Sequence, residues 1–150
     1  MKDKYNKQIN EWYSNWFGIS KLYADWAKEK GLTYYSLYTL EVIYENQKGC
    51  TQKMICDELF LPKQTVNSIL ADFEKKGYVF FEKDQTDKRN KLIKFTAKGL
   101  EFAEYVTGSL YEIEKRVMVG MDDEIIEQML RGNDIFFQLL GKEMEKERGD

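Results

Sequence analysis

The stretch from Asp87 to Gly99 reads D-K-R-N-K-L-I-K-F-T-A-K-G, and it constrains the fold more than any other part of the chain. An acid and an arginine two residues apart form a charged turn, Leu92, Ile93 and Phe95 follow as a short alternating strand, and Thr96 has the chemistry of a helix cap. With Tyr78 to Lys83 as the preceding strand and the polar Asp84 to Lys91 between them, the pattern predicts a β-hairpin with a cationic tip. A strand pair this short is not stable alone, so it requires a helical core beneath it.

That core is legible on both sides. Val66, Ile69, Leu70 and Phe73 recur at i, i+3, i+4 and i+7 between Pro62 and Gly77, the apolar stripe of an amphipathic helix. Proline suits the first helical position, where no backbone donor is needed, and Lys75, Lys76 and Gly77 mark the end. Lys63, Gln64, Thr65, Asn67 and Ser68 occupy its opening turns, and the first four are residue types that reach DNA bases and phosphates. Upstream, Thr51 caps a short helix carrying Met54, Ile55 and Leu59, with Phe60-Leu61-Pro62 as the turn between the two. A helix-turn-helix followed by a wing is the arrangement of a DNA reader.

The flanks are helical by period. Tyr5, Ile9, Trp12, Tyr13, Trp16, Ile19, Tyr23 and Trp26 place one long helix over residues 4 to 30, ended by Gly31. Thr33 caps a second, with Leu37, Leu40, Val42 and Ile43, expected to close near Lys48-Gly49. Beyond the wing, Ala97 to Val119 and Asp122 to Glu147 are two more helices, broken at Gly120. Their apolar sets exceed what one small winged domain can cover, so helices from both chain ends are expected to pack into a dimer. An intramolecular helical hairpin is the alternative. The whole is one mainly α domain over residues 1–150 with a two- to three-stranded wing. Residues 33–98 are its winged helix-turn-helix lobe, and residues 1–30 and 99–150 its dimerisation region.

Charge is distributed to match. Residues 48 to 98 hold eleven Lys and Arg against seven Asp and Glu, a balance of +4, which leaves −7 for the rest of a chain whose net charge is −3. The basic excess therefore coincides with the helix and wing, as expected if that part meets phosphates. A pI near 5.2 makes any such attraction local rather than general.

Other chemistries are poorly served. The chain has no histidine, which removes the commonest general base and transition-metal ligand, so no cofactor or metal is expected. No phosphate-cradling glycine loop or nucleophile-base pairing is visible, and an enzyme is not expected. Cys50 and Cys56 read as small buried or half-buried hydrophobes. Without a secretory signal or an apolar run of membrane-spanning length, the expected location is the cytoplasm, with no membrane partner.

These features together resemble the MarR family of bacterial transcriptional regulators, in element order over essentially the whole length. Leu32-Thr33 with Leu37 and Leu40 is similar to the family's second-helix opening, and Thr51-Gln52 through Leu59 with Thr65-Val66 through Gly77 to its helix-turn-helix. Most specifically, Asp87, Arg89, Phe95, Thr96 and Gly99 match the wing signature D-x-R…(L/F)-T-x-x-G position by position.

The resemblance implies a homodimer that binds a pseudo-palindromic operator in double-stranded DNA, as a repressor, and is released by a small-molecule effector. It implies that the helix from Pro62 to Lys76 enters the major groove. Arg89 reaches the minor groove with Asp87 paired to it, and Lys88 and Lys91 flank them. A guanidinium suits a narrow minor groove, and a neighbouring carboxylate can hold it in one pose. Two positions depart from the family pattern: Ser68 stands where arginine is frequent, and Phe81 where a basic residue commonly follows the G-(L/Y)-(V/I) of the first wing strand. A winged-helix module that binds protein rather than DNA is therefore the competing expectation. The family's effector pocket lies where the DNA-binding lobe meets the dimerisation helices, where this chain has Trp12, Tyr13, Trp16, Tyr34, Tyr35 and Tyr38. These aromatics could stack a small aromatic ligand. The same stripe is also the ordinary pattern of a core or a dimer interface. The peroxide-sensing branch carries a cysteine on its first helix, and this chain has none there.

Overall fold

The computed structural model describes residues 3–149. The elements are α1 (Lys4–Glu29), α2 (Tyr34–Glu45), β1 (Cys50–Thr51), α3 (Gln52–Leu59), α4 (Lys63–Lys75), β2 (Val79–Lys83), β3 (Lys91–Phe95), α5 (Ala97–Val119) and α6 (Asp123–Gly149). The chain divides into two compact units, residues 1–108 and 109–150, with the division inside α5.

In the first unit, side-chain caps start the helices. Asp3 accepts from the Tyr5 amide ahead of α1, Thr33 from Ser36 ahead of α2, and Thr51 from Met54 ahead of α3. The core is the sum of the inward stripes: Leu37, Leu40 and Ile43 of α2, Ile55 of α3, Val66 and Phe73 of α4, Ile93 of β3 and Val106 of α5 are all fully or almost fully buried. Lys30, just past α1, ties that helix to α5. Its Nζ donates to the Tyr105 hydroxyl at 2.8 Å and lies over the Trp26 and Tyr105 rings.

The sheet is antiparallel in the order β1-β3-β2, with Cys50 opposite Ile93 and Phe81 opposite the same residue on the other side. β1 makes the sheet three-stranded, the upper end of the expected range, since two residues after the α2 loop suffice to pair with the free edge of β3. Two details differ from expectation. α2 ends at Glu45 rather than near Gly49, because Asn46 folds its Nδ2 back onto the Val42 carbonyl. The Lys94 Nζ then takes the Gln47 and Lys48 carbonyls, so those residues have a partner outside any helix. Pro62 is the N-cap of α4 (ψ 145°) rather than its first helical residue, and it leaves that helix without a side-chain cap.

The joint between α4 and α5 explains the T-x-x-G pattern. Gly77 (φ 73°) closes α4: its N–H donates to the Glu74 carbonyl and that of Tyr78 to Phe73, at 2.9 and 2.8 Å. The Thr96 hydroxyl donates to the Gly77 carbonyl at 2.6 Å and accepts from the Gly99 amide at 3.0 Å. A Cβ on Gly99 would sit 1.8 Å from the Tyr78 carbonyl oxygen, so only glycine fits there.

In the second unit, residues 109–150, the distal part of α5 and α6 keep most of their side chains in solvent. Of α6 only Ile126 is half-buried, while Ile125, Met129, Leu130, Ile135, Leu139 and Met144 are exposed.

Candidate nucleic-acid interface

α4 is held by one face and offers the other. Val66, Ile69, Leu70 and Phe73 are buried, whereas Lys63, Gln64, Asn67 and Ser68 are exposed and Thr65 is half-buried. Its C-terminus is fixed twice, by the Gly77 turn and by Lys98, whose Nζ donates to the Lys76 carbonyl at 2.9 Å. The helix that carries the outward polar residues is thus rigidly mounted on its apolar side. The Ser68 hydroxyl donates to the Gln64 carbonyl one turn back, so its proton is already committed.

At the wing tip, Asp87 organises the turn around itself. Its Oδ1 accepts from the Arg89 amide at 3.1 Å and lies 3.5 Å from the Arg89 Nε, while Oδ2 accepts from the Asn90 amide group at 3.4 Å. The Arg89 side chain is 93% exposed. An ion pair in that much water contributes at most about 1 kcal/mol to stability. The carboxylate therefore aims the guanidinium more than it stabilises the fold. Lys88 and Lys91 are exposed on either side. Behind them the Asp84 carboxylate accepts from the Thr86 hydroxyl and amide, at 2.7 and 2.9 Å, and these bonds hold its pKa below the usual carboxylate value.

Helix and wing face each other across an open groove. Gln52, Lys63, Asn67, Arg89 and Lys91 line it, with Phe81 half-buried among them. Of the nine positions expected from sequence, Lys63, Asn67, Arg89 and Lys91 thus share one concave surface, while Gln64, Thr65, Ser68, Asp87 and Lys88 do not line it. Gln52, which sequence reasoning passed over, belongs to the groove. Its Nε2 donates to the Lys63 carbonyl at 3.1 Å and to the Asn67 Oδ1 at 2.5 Å.

The six aromatic positions fall into two ring clusters. Trp12, Tyr13 and Trp16 pack edge to face or tilted along α1, joined by Phe17. Tyr34, Tyr35 and Tyr38 pack on one another on α2, with Tyr38 meeting Tyr23 at 5.9 Å. Trp16 and Tyr23 are about two helical turns apart, roughly 10 Å along α1.

Both cysteines are free thiols. Cys50 is fully buried, and burial, with the Glu58 carboxylate adding to it, pushes its pKa up to about 11. Among the described residues no group of three or more His, Cys, Asp or Glu could hold a metal ion, and no helix is long and apolar enough to cross a membrane.

Known proteins resemble this chain in sequence and in fold. A MarR family model matches residues 30–90. The HTH-type transcriptional regulator SarZ of Staphylococcus saprophyticus is 34% identical over 109 residues, 73% of this chain and 71% of that protein. SarZ of Staphylococcus epidermidis is 36% identical over 81 residues, so there the chain spans about half the length of the relative it matches (54% of each). Among solved structures, NMB1585, a MarR family regulator from Neisseria meningitidis, superposes with a TM-score of 0.79 at 22% identity, over 93% of this chain and 97% of that one. Staphylococcus aureus MepR in complex with DNA gives a TM-score of 0.72 at 23% identity, over 93% and 99%.

Proposed function

This chain belongs to the MarR family, and from that premise we propose that it regulates transcription by binding double-stranded DNA. The observation that carries the reading is the pairing of a rigidly mounted α4, polar on its open face, with a wing tip where Asp87 steers a 93% exposed Arg89. α4 enters the major groove with Lys63, Gln64, Thr65, Asn67 and Ser68, and Arg89 enters the adjacent minor groove with Lys88 and Lys91 on the phosphates. The relatives' names as transcriptional regulators and the MepR–DNA complex support this assignment.

The protein acts as a homodimer, with residues 1–30 and 99–150 as its dimerisation region. Support comes from apolar side chains left in solvent: Tyr5, Ile9, Trp16, Phe17 and Leu22 on α1, and Ile125, Leu130, Ile135 and Leu139 on α6. Two-fold symmetry then spaces the recognition helices by about 34 Å, one turn of a pseudo-palindromic operator. Occupying such a site represses, and an aromatic small molecule seated among Trp12, Tyr13, Trp16, Tyr34, Tyr35 and Tyr38 releases it.

Arg89→Ala tests the DNA assignment. Gel retardation on the DNA flanking the protein's own gene is expected to weaken, with the salt slope reduced by about one unit. Thermal stability should stay within about 0.5 kcal/mol. Unchanged affinity would overturn the assignment. The committed Ser68 hydroxyl and the apolar Phe81 favour one competitor, a winged helix that binds protein. A folded protein that retards no duplex even at low salt would select that reading instead.

A further inference from the structure

Gln52 is on α3, outside the recognition helix, yet it is the residue that decides which way the Asn67 amide faces. A backbone carbonyl can only accept, so the Gln52 group at the Lys63 oxygen must be its amide nitrogen, Nε2. The second hydrogen on that nitrogen points to Asn67, and whatever meets it there must be an acceptor, hence Oδ1. The assignment of both amides thus follows from the Lys63 carbonyl. Because the Asn67 amide is planar, holding Oδ1 toward α3 turns the Nδ2 hydrogens away from it, into the open side of the groove that Asn67 lines.

We infer that Gln52 is a positioning residue that sets the base preference of Asn67, making it present donors only. This rests on the DNA-binding reading above. A free asparagine recognises adenine by using both ends of its amide, accepting from N6 and donating to N7. With Oδ1 tied to α3, that bidentate contact is lost. What remains fits best a base whose major-groove edge offers acceptors and no donor, guanine (N7 and O6) or thymine (O4); adenine keeps its N7 acceptor but its N6 donor is left unmet, and cytosine offers only a donor. Asn67 is then a reader of keto bases.

The test is selection of duplex DNA from a library randomised across the half-site, with the unaltered protein and three variants, each checked for an unchanged thermal melt. The unaltered protein is expected to select a keto base at one position where Asn67→Ala loses all preference. Gln52→Ala releases Oδ1 and should move that position toward adenine by on the order of tenfold. Gln52→Glu cannot donate; it accepts from Nδ2 instead, turns Oδ1 outward, and should favour adenine or cytosine, the bases that present an amino donor. A purely structural role for Gln52 would lower affinity evenly across sequences. An identical preference in the unaltered protein and both Gln52 variants would overturn the inference while leaving DNA binding intact, whereas folded proteins that select no DNA at all would overturn the reading beneath it.

Discussion

α4 and α6 are both amphipathic helices, but the apolar stripe of one is buried within its own unit and much of the other's is exposed. The four stripe residues of α4 are at most 9% exposed, while Ile125, Leu130 and Leu139 of α6 are 50, 57 and 54% exposed. The difference separates two kinds of hydrophobic pattern: one that folds a lobe and one that is proposed to assemble copies of it. An apolar face of that extent left in water is unusual for a monomer and ordinary for an obligate partner. The polar faces differ in the same sense. That of α4 carries Lys63, Gln64, Asn67 and Ser68 and is open because its occupant is proposed to be a polyanion.

Three changes would break or sharpen that contrast. The largest effect is expected from Phe73→Ala, which empties the centre of the lobe and should cost about 3–5 kcal/mol, read as a lowered denaturation midpoint. If the midpoint barely moved, the α4 stripe would not be the core it looks like. Next is Leu139→Glu on α6. It should leave the melt of the lobe within about 0.5 kcal/mol. In sedimentation equilibrium it should weaken self-association by roughly tenfold or more, the scale of a buried interface side chain. Loss of folding without loss of association would reverse the roles assigned to the two helices. The smallest effect concerns Asp84. Its carboxyl is held below its usual pKa by Thr86, so the order this gives the wing is complete above that usual value and is lost as pH falls through the lowered one. Amide exchange at Thr86 should therefore rise only in strong acid, and a transition near pH 6 would contradict the bond.

How much of this was legible in sequence follows from the range of the interactions. The α4 stripe and the Thr33 and Thr51 caps show as patterns within a few residues, and the wing strands, though their partners lie 8 to 16 residues apart, carry local alternation on either side of a polar turn, so periodicity and cap chemistry located them. The end of α2 did not, because the lysine that takes its loop carbonyls lies on β3, 46 or 47 residues away. The third strand was allowed for but not located, for a similar reason: β1 is two residues long and defined only by its pairing with Ile93 and Leu92. Within the candidate site, the residue types and spacing from Asp87 to Gly99 pointed to the wing tip. Gln52 carried no comparable mark: its significance is a hydrogen bond to Asn67, 15 residues on, across the turn that brings α3 and α4 together.

Native mass spectrometry of the full-length chain, alone and with duplex DNA flanking its own gene, tests the central claim most directly. The expected result is two chains without DNA and two chains per duplex with it. A single chain that stays single, with or without bound DNA, would contradict the division of labour between the exposed terminal helices and the α4 lobe.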